Sequence, residues 1–501
     1  MTGYHAEPLW GREWNRGKNL ERDVVRQIFR AVGWIFLIVI TLFSGTDTVR
    51  AEGASPGGVT FGDTAFLHAK FGATEVRGTW IATVTNLDWP SRPGLSDAQQ
   101  QAEAVGILDA AQEMGIHLVV FQVRPTGDAF YASDFFPWSK YLTGVQGTAP
   151  EYDPLQFWID ESHRRGIMLH AWINPYRISM TGAFRDTETG EWKADLSVFC
   201  DDHPARKHSE WVVPYADGKL YFNPGIPAVR QYIIDAAMEI VERYDVDGIH
   251  FDDYFYPYPK NDEAGKRIEF GDAAVFAKYG SPSGSIHDWR RGNVNELLHE
   301  LHERIRAFGG DDGDKDKTDT DRNHGDVHRR RVVFGVSPFA IWRNHGSDPR
   351  GSETNGLASC DAIYADSLAW VERGYVDYIV PQIYWAFETK AAPYEKVADW
   401  WVTLCRRYPS VVLIIGMGAH RIGSGEADDP WRDPTQFVRQ LDYNAAHADV
   451  IRGRILFGWK QFSKNPLGCV DELKRRHPHT ATLRDGQPLS MNVHTLNKTT
   501  E

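Results

Sequence analysis

From Glu75 onward, short apolar, β-branched runs alternate eight times with longer amphipathic stretches, and this alternation constrains the fold more than any other feature. Strands are expected at Gly78–Val84, His117–Val123, Met168–Ile173, Gly248–Phe251, Val332–Val336, Tyr378–Ile383, Val411–Ile415 and Ile455–Phe457. Helices are expected at Ser96–Met114, Pro154–Arg165, Pro227–Tyr244, Ile286–Phe308, Ala365–Gly374, Ala392–Tyr408 and Asp433–Ala448. Asp153-Pro154 reads as an N-cap followed by proline in the first turn, where its missing N–H costs nothing. Eight strand–helix units predict a parallel sheet closed into a (β/α)8 TIM barrel with long βα loops. An open, doubly wound sheet fits less well, because no glycine-rich phosphate turn follows the first strand.

The barrel is expected to span residues 75–478, with three interruptions. Thr181–Leu220 and Tyr254–Ser285 are long loops after strands three and four, at the carboxyl ends where barrel active sites are built. Gly309–Arg330, rich in Asp, Lys and Gly, is a polar insertion before strand five, and 309–331 is expected to be disordered. Residues 479–501 read as a polar tail. Ahead of the barrel, Arg22, Arg26 and Arg30 precede the uncharged run Val32–Phe43, and Val49-Arg50-Ala51 has the small residues of a cleavage site. That order marks residues 1–51 as a secretory signal or, if retained, a membrane anchor, and places the protein in the cell envelope, periplasmic or secreted.

The formal net charge of −13 argues against nucleic acid as a partner, which needs a basic footprint. The four cysteines form no CxxC pair, so zinc-ribbon and redox motifs are excluded, while disulfides remain open. Aromatic residues make up 13% of the chain, with 18 Trp and 20 Tyr, and such an excess suits a cleft where flat apolar faces meet sugar rings.

Alternate side chains of a barrel strand face the interior. Strand four turns Ile249 and Phe251 outward and His250 and Asp252 inward. The same phase sends Gln122 and Arg124 inward from strand two, His170, Trp172 and Asn174 from strand three, and Gln382 and Tyr384 from strand six. A closed barrel floor is filled by Val, Ile and Leu, so four strands aiming polar groups at one axis point to a ligand site. A satisfied internal network, Arg124 with Asp252 for example, is the plainer alternative.

Those residues also carry a resemblance. Arg77-Gly78-Thr79-Trp80-Ile81-Ala82-Thr83-Val84 with Asp88-Trp89-Pro90-Ser91, Phe121-Gln122-Val123-Arg124-Pro125-Thr126-Gly127-Asp128, and His170-Ala171-Trp172-Ile173-Asn174-Pro175-Tyr176-Arg177 resemble motifs of the glycosyl hydrolase-like family ten. Asp247-Gly248-Ile249-His250-Phe251-Asp252-Asp253-Tyr254 and Pro381-Gln382-Ile383-Tyr384-Trp385 resemble its later ones. The resemblance runs from about Glu75 to about Phe462. It implies a TIM barrel, no cofactor, an envelope location and a glycan polymer as substrate. Peptidoglycan glycan strands stripped of their stem peptides, cut by a divisome-localised member, are the substrate it implies first.

Glycoside hydrolysis uses two carboxyl groups, about 5–5.5 Å apart for retention and about 6.5–9.5 Å for inversion. Asp252 is the expected first carboxylate, kept ionised by Arg124 or a protonated His250. For the second, Glu388 ranks first, as an acid whose pKa is raised beside Trp385 and Phe387, followed by Asp253 and Asp128. In a substrate-assisted variant a 2-acetamido group attacks, oriented by Tyr384 and polarised by an adjacent Asp. Trp80, Trp172, Tyr176, Trp385 and Trp459 are candidate sugar platforms. Arg124, Asp128, His170, Asn174, Arg177, His250, Gln382 and Tyr384 complete the expected substrate contacts. Three rivals stand beside this reading: a hydrolase of another polysaccharide such as an α-glucan, a non-catalytic glycan-binding barrel, and a metal-dependent hydrolase using His170, His250 and Asp252. The last lacks the HxH pair that barrel metal sites usually carry on strand one, so no metal is expected.

Overall fold

The computed structural model describes residues 75–309 and 332–477. The expected N-terminal segment 1–51, the insertion beyond Gly309 and the tail 479–501 lie outside the described residues. Eight parallel strands form the barrel: β1 Val76–Ile81, β2 Leu118–Arg124, β3 Met168–Ile173, β4 Gly248–Phe251, β5 Val333–Val336, β6 in two pieces (Tyr378–Ile379 and Gln382–Ile383), β7 Val412–Met417 and β8 Ile451–Leu456. The sheet closes where β1 pairs with β8, Val76 opposite Gly453 through Thr79 opposite Leu456. Pro381, which has no N–H to give a ladder, lies at the break in β6. The first piece pairs with β5 and β7 and the second with β7.

The outer helices are α1 Asp97–Glu113, α2 Pro154–Arg164, α3 Pro227–Arg243, α4 Ile286–Phe308, α5 Ser367–Glu372, α6 Tyr394–Arg407, α7 Thr435–Ala446 and α8 Cys469–Arg476. Ser96 and Gln99 form a reciprocal capping box at α1, and Asp153 caps α2 through the Gln156 N–H. The eighth helix closes the repeat beyond the seven expected from sequence, and β8 begins four residues earlier than expected.

Outward residues such as Phe121, Ile173, Phe251, Phe334 and Ile383 join the core between sheet and helices, each side chain contributing about 1.5–3 kcal/mol by leaving water. A smaller core fills the barrel itself, from Trp80, Leu118, Val120, Trp172, Val333, Tyr378, Ile414 and Ile455. Two glycines make room for its rings. A Cβ at Gly248 would lie 2.8 Å from the His170 ring, and one at Gly335 would lie 2.1 Å from the Tyr378 ring.

The segment Thr181–Leu220, expected as a polar loop, has structure of its own. Arg177–Ser179, Leu220–Phe222 and Val212–Pro214 form a three-stranded antiparallel sheet, and Ala183–Arg185 pairs with Trp192–Ala194 in a hairpin. The loop after β4 carries the helix Ala273–Tyr279 and is pinned to α4 by a buried ion pair between Asp272 and Arg290. All four cysteines are free thiols, so no disulfide contributes to this fold.

Candidate active site

The inward side chains of β3 and β4 sort by depth. In parallel pairing His170 lies level with Gly248 and Trp172 with His250, so each step of two residues climbs one layer toward the carboxyl end. The deep layer is a closed hydrogen-bond cluster. The Tyr378 hydroxyl lies 2.7 Å from Nδ1 of His170 and 2.9 Å from Nδ1 of His250. Nε2 of His250 lies 2.9 Å from the Ser337 hydroxyl and accepts the Trp80 indole N–H at 3.3 Å. Burial pushes the His170 pKa down to about 4 and that of His250 well below the usual imidazole range. Both rings are therefore neutral, and a protonated His250 holding Asp252 ionised, as expected from sequence, does not occur. Among the described residues no three His, Cys, Asp or Glu side chains converge as metal ligands.

Above that cluster, at the end of β4, stand Asp252 and Asp253, each only 4% exposed. Asp252 accepts three N–H groups: the Trp172 indole at 3.2 Å, the Tyr254 backbone at 3.1 Å and the Asn174 amide. Asp253 accepts the Tyr258 hydroxyl and is hydrogen-bonded to Gln382. Burial first, and the neighbouring Asp253 charge second, raise the Asp252 pKa to about 7. Asp253 is raised as well, again chiefly by burial. Two adjacent carboxyls in one dry site do not readily both ionise, so near neutral pH the pair shares a proton.

Asn174 is itself held in register. The backbone N–H groups of Thr83 and Val84 each donate to Oε1 of Gln122 at 2.9 Å, and the Gln122 amide donates to Oδ1 of Asn174 at 2.7 Å. With its oxygen occupied, Asn174 turns its NH2 to Asp252. A relay thus runs from the backbone after β1 through β2 and β3 to the carboxylate on β4.

The cation beside the pair is Arg177, which lowers the pKa of both carboxyls. Its guanidinium donates twice to the Pro125 carbonyl, at 3.1 and 2.9 Å, and lies 4.7 Å over the Tyr254 ring. Arg124, expected in that place, faces the other way. Gln122 pairs with Trp172 but Arg124 pairs with Ile173, so Val123 is an extra, bulged residue and the alternation slips by one. Arg124 therefore lies level with the outward Ile173, 4.3 Å over the Phe136 ring and among Tyr131, Tyr232 and Glu239.

Glu388 is drawn away by α7. It accepts from Gln436 and Arg439, both at 2.6 Å, in an ion pair nearly half exposed. Burial raises its pKa, but these partners outweigh it and hold the carboxyl below its usual range, the reverse of the raised acid expected from sequence. Tyr176 is fully buried on the helix side, near Arg230 of α3 and Glu296 of α4, and offers no platform. Trp459 is 5% exposed and packs edge-on against Phe462. Asp128 is enclosed by its own loop, accepting from Thr126 at 2.8 Å and Gln146 at 3.2 Å.

Gln382 and Tyr384 do reach the pair: Gln382 donates to the Ser337 carbonyl at 2.8 Å, and both carboxylate charges act on Tyr384. Tyr384 stacks on Phe457 at 5.6 Å, while Trp385 meets Phe339 edge-on at 5.5 Å. Phe339 also touches Tyr258, which touches Tyr254, so half-buried rings form an arc beside the carboxylates. Sequence reasoning assigned no role to Gln122, Tyr254, Tyr258, Phe339 or Phe457. The run Tyr254-Phe255-Tyr256-Pro257-Tyr258, directly after Asp252-Asp253, was the available signal for two of them.

Comparison with known proteins shows the family. The model of the family "Glycosyl hydrolase-like 10" matches residues 75–310 and 328–433. The chain belongs to that family. It is 43% identical over 401 residues to glycosyl hydrolase YngK of Bacillus subtilis (strain 168), covering 80% of this chain and 71% of the relative. To glycosyl hydrolase DigH of Escherichia coli (strain K12) it is 37% identical over 396 residues, covering 76% of this chain and 82% of the relative. Among solved structures it is similar to the PgaB (BpsB) glycoside hydrolase domain of Bordetella bronchiseptica, with 13% identity, a TM-score of 0.44, and coverage of 83% of this chain and 99% of that one. As a member of glycosyl hydrolase-like family 10, the chain is a glycoside hydrolase whose substrate is a glycan.

Proposed function

We propose that this protein is exported and cuts glycan strands bearing 2-acetamido sugars, peptidoglycan strands without stem peptides first among them, with Asp252 and Asp253 as its reactive pair. The observation that carries this reading is the pair itself: consecutive buried carboxyls whose burial raises their proton affinity, one ringed by N–H donors and the other bonded to a phenol. Three N–H donors favour the ionised form of the carboxyl that accepts them, and on that ground we assign the anion to Asp252 and the proton to Asp253.

That division suits substrate assistance. The acetamide oxygen of the substrate attacks C1 while Asp252 accepts the acetamide N–H and stabilises the positive charge that develops. Asp253 gives its proton to the glycosidic oxygen as the C1–O bond breaks, leaving a cyclic oxazolinium and a free sugar hydroxyl. Water activated by the ionised Asp253 then opens the ring, restoring the acetamide and the Asp253 proton. An α-glucan has no acetamido group and would need a carboxylate nucleophile facing a separate acid, a part that Glu388, held by Arg439 and Gln436, does not fill. A purely glycan-binding barrel would gain nothing from burying two carboxyl groups side by side. The basic-then-apolar N-terminal pattern supports export.

Amidase-treated peptidoglycan, intact peptidoglycan and N-deacetylated glycan, incubated in parallel and read by product mass, test the proposal. Soluble glycan fragments are expected from the first alone. Equal cleavage of the deacetylated glycan would remove substrate assistance, and no product from any of the three would remove the substrate class.

A further inference from the structure

A cavity of about 590 Å³ lies away from the carboxylates, between the hairpin Ala183–Arg185/Trp192–Ala194 and the loop that follows β4. We propose that it is a distal subsite holding one sugar unit of the same glycan strand, several units from the bond being cut. The inference rests on the glycan-hydrolase reading above and adds to it a place where chain length is sensed.

The volume is within the range of small-ligand sites, about 300–1,000 Å³. Its lining is that of a sugar site. Arg185 and Trp192 are directly paired across the hairpin and so project from one face of it, toward the cavity. Trp192 is half-buried, a flat apolar surface for a pyranose face with a polar edge left over. Opposite stand Lys260, Asn261 and Asp262, and Asp217 closes one side. Among the described residues neither Arg185 nor Lys260 is in an ion pair: the Arg185 guanidinium donates to the Gly190 carbonyl at 3.2 Å, and Lys260 is engaged through its backbone, the N–H donating to the Tyr215 hydroxyl at 3.1 Å and the carbonyl accepting the Ile268 N–H at 2.8 Å. Both cations are free to donate to hydroxyl or carboxylate oxygens.

The cavity also lies at the same end of the barrel as the reactive pair. Its two walls leave the carboxyl ends of β3 and β4, the strands that carry Asn174 and Asp252. Asp217 accepts the Tyr221 hydroxyl at 2.6 Å, and its charge acts on Tyr254, the ring that lies against Arg177. Tyr221 and Tyr254 thus link Asp217 to Arg177, and a strand running past them would reach both the cavity and the carboxylates.

Trp192→Ala and Lys260→Ala test this against a ladder of glycan lengths. Phe184→Ser serves as the control, because Phe184 is 46% exposed and alternates to the opposite face of the same hairpin. The expected result is a tenfold or greater loss of kcat/KM on long strands in both variants, little change on the shortest cleavable oligosaccharide, and no change in the control. Equal losses at all lengths, or none at any, would overturn the subsite. Strand affinity of the same proteins is measured alongside. If the wild type cleaves nothing, the hydrolase reading falls on its own. A tenfold affinity loss in Trp192→Ala would then still support a glycan site in the cavity, and unchanged affinity would overturn it.

Discussion

At the level of Gly248 and His250 the barrel holds His170, His250 and Tyr378, with the Ser337 hydroxyl reaching down to them, while one step further along the same strands it holds Asn174, Asp252 and their neighbours. Both layers are polar, buried and built from inward-facing positions. In the lower one the hydroxyls of Tyr378 and Ser337 meet imidazole nitrogens, and burial keeps both histidines neutral. In the upper one two carboxyls compete for a single dry place, and burial and mutual repulsion raise their proton affinity. Polar groups inside a barrel thus serve two ends. Where donors and acceptors cancel they order the floor, and where like charges are forced together they store proton-transfer capacity.

Asp252→Asn sets the scale of this contrast. Loss of the anion is expected to lower kcat by about 10³-fold or more, an effect of the size seen when a charge-stabilising group is removed. Measured on stripped glycan strands with folding checked by circular dichroism, retention of even a tenth of the activity would move the reactive group elsewhere. Gln122→Met comes next. It keeps the shape of the side chain but frees Asn174 to rotate, and about tenfold in kcat is expected to go. Asn174 donates to the ionised form of Asp252, so its loosening raises the Asp252 pKa further. The acidic limb of the kcat/KM profile should therefore move to higher pH. A drop in rate with an unmoved limb would make Gln122 merely structural.

The lower layer gives the opposite signature. Tyr378→Phe removes one hydroxyl from two imidazoles, at an expected cost of about 1–3 kcal/mol in stability. Its pH profile on substrate should match that of the wild type, since neither histidine titrates in the working range. A shifted profile would mean that the two layers are electrically coupled.

The same geometry explains which features are legible in the sequence. Strand periodicity is a local property, so the eight-strand barrel and the inward direction of Asn174, His250 and Asp252 could be read directly. Direction failed at Arg124 because a single bulged residue, Val123, reverses every later position, and nothing in Phe121–Arg124 announces it. Depth failed for His170 and His250 because alternation gives a side chain's face and not its distance from the mouth. Glu388 failed because its partners, Gln436 and Arg439, lie about fifty residues away on α7, beyond any local pattern. Tyr176 and Trp459 were read as platforms from residue type alone, which does not distinguish a cleft from a core.

A smaller and less intuitive effect belongs to Asp253→Asn. The Asp253 pKa is raised in the folded state, so its ionisation costs stability, and that cost grows as pH rises from the unfolded value through the folded one. An amide removes the cost, and the Tyr258 hydroxyl can turn to accept from it. Inactive protein should therefore melt higher than the wild type by about 2 °C at pH 8, with the gain shrinking as pH falls to the unfolded carboxylate value of about 4. A gain that is the same at both pH values would show that the carboxyl pair is not strained by charge.

The smallest expected change separates the two catalytic schemes most sharply. Glu388→Gln breaks an ion pair with Arg439 that is nearly half exposed on both sides, a contact of the kind that contributes about 0–1 kcal/mol. If the reactive carboxyls are the consecutive pair on β4, this variant should cleave stripped strands within about twofold of the wild-type rate, because it touches neither the anion, the shared proton nor the ring arc. If instead a separate acid reaches over the cleft during the reaction, Glu388 must leave Arg439 to do so, and its amide would carry no proton to the leaving group. A loss of two or more orders of magnitude, with rescue by a small carboxylic acid such as formic acid, would then replace the shared-proton pair by an acid and a base on opposite sides of the bond.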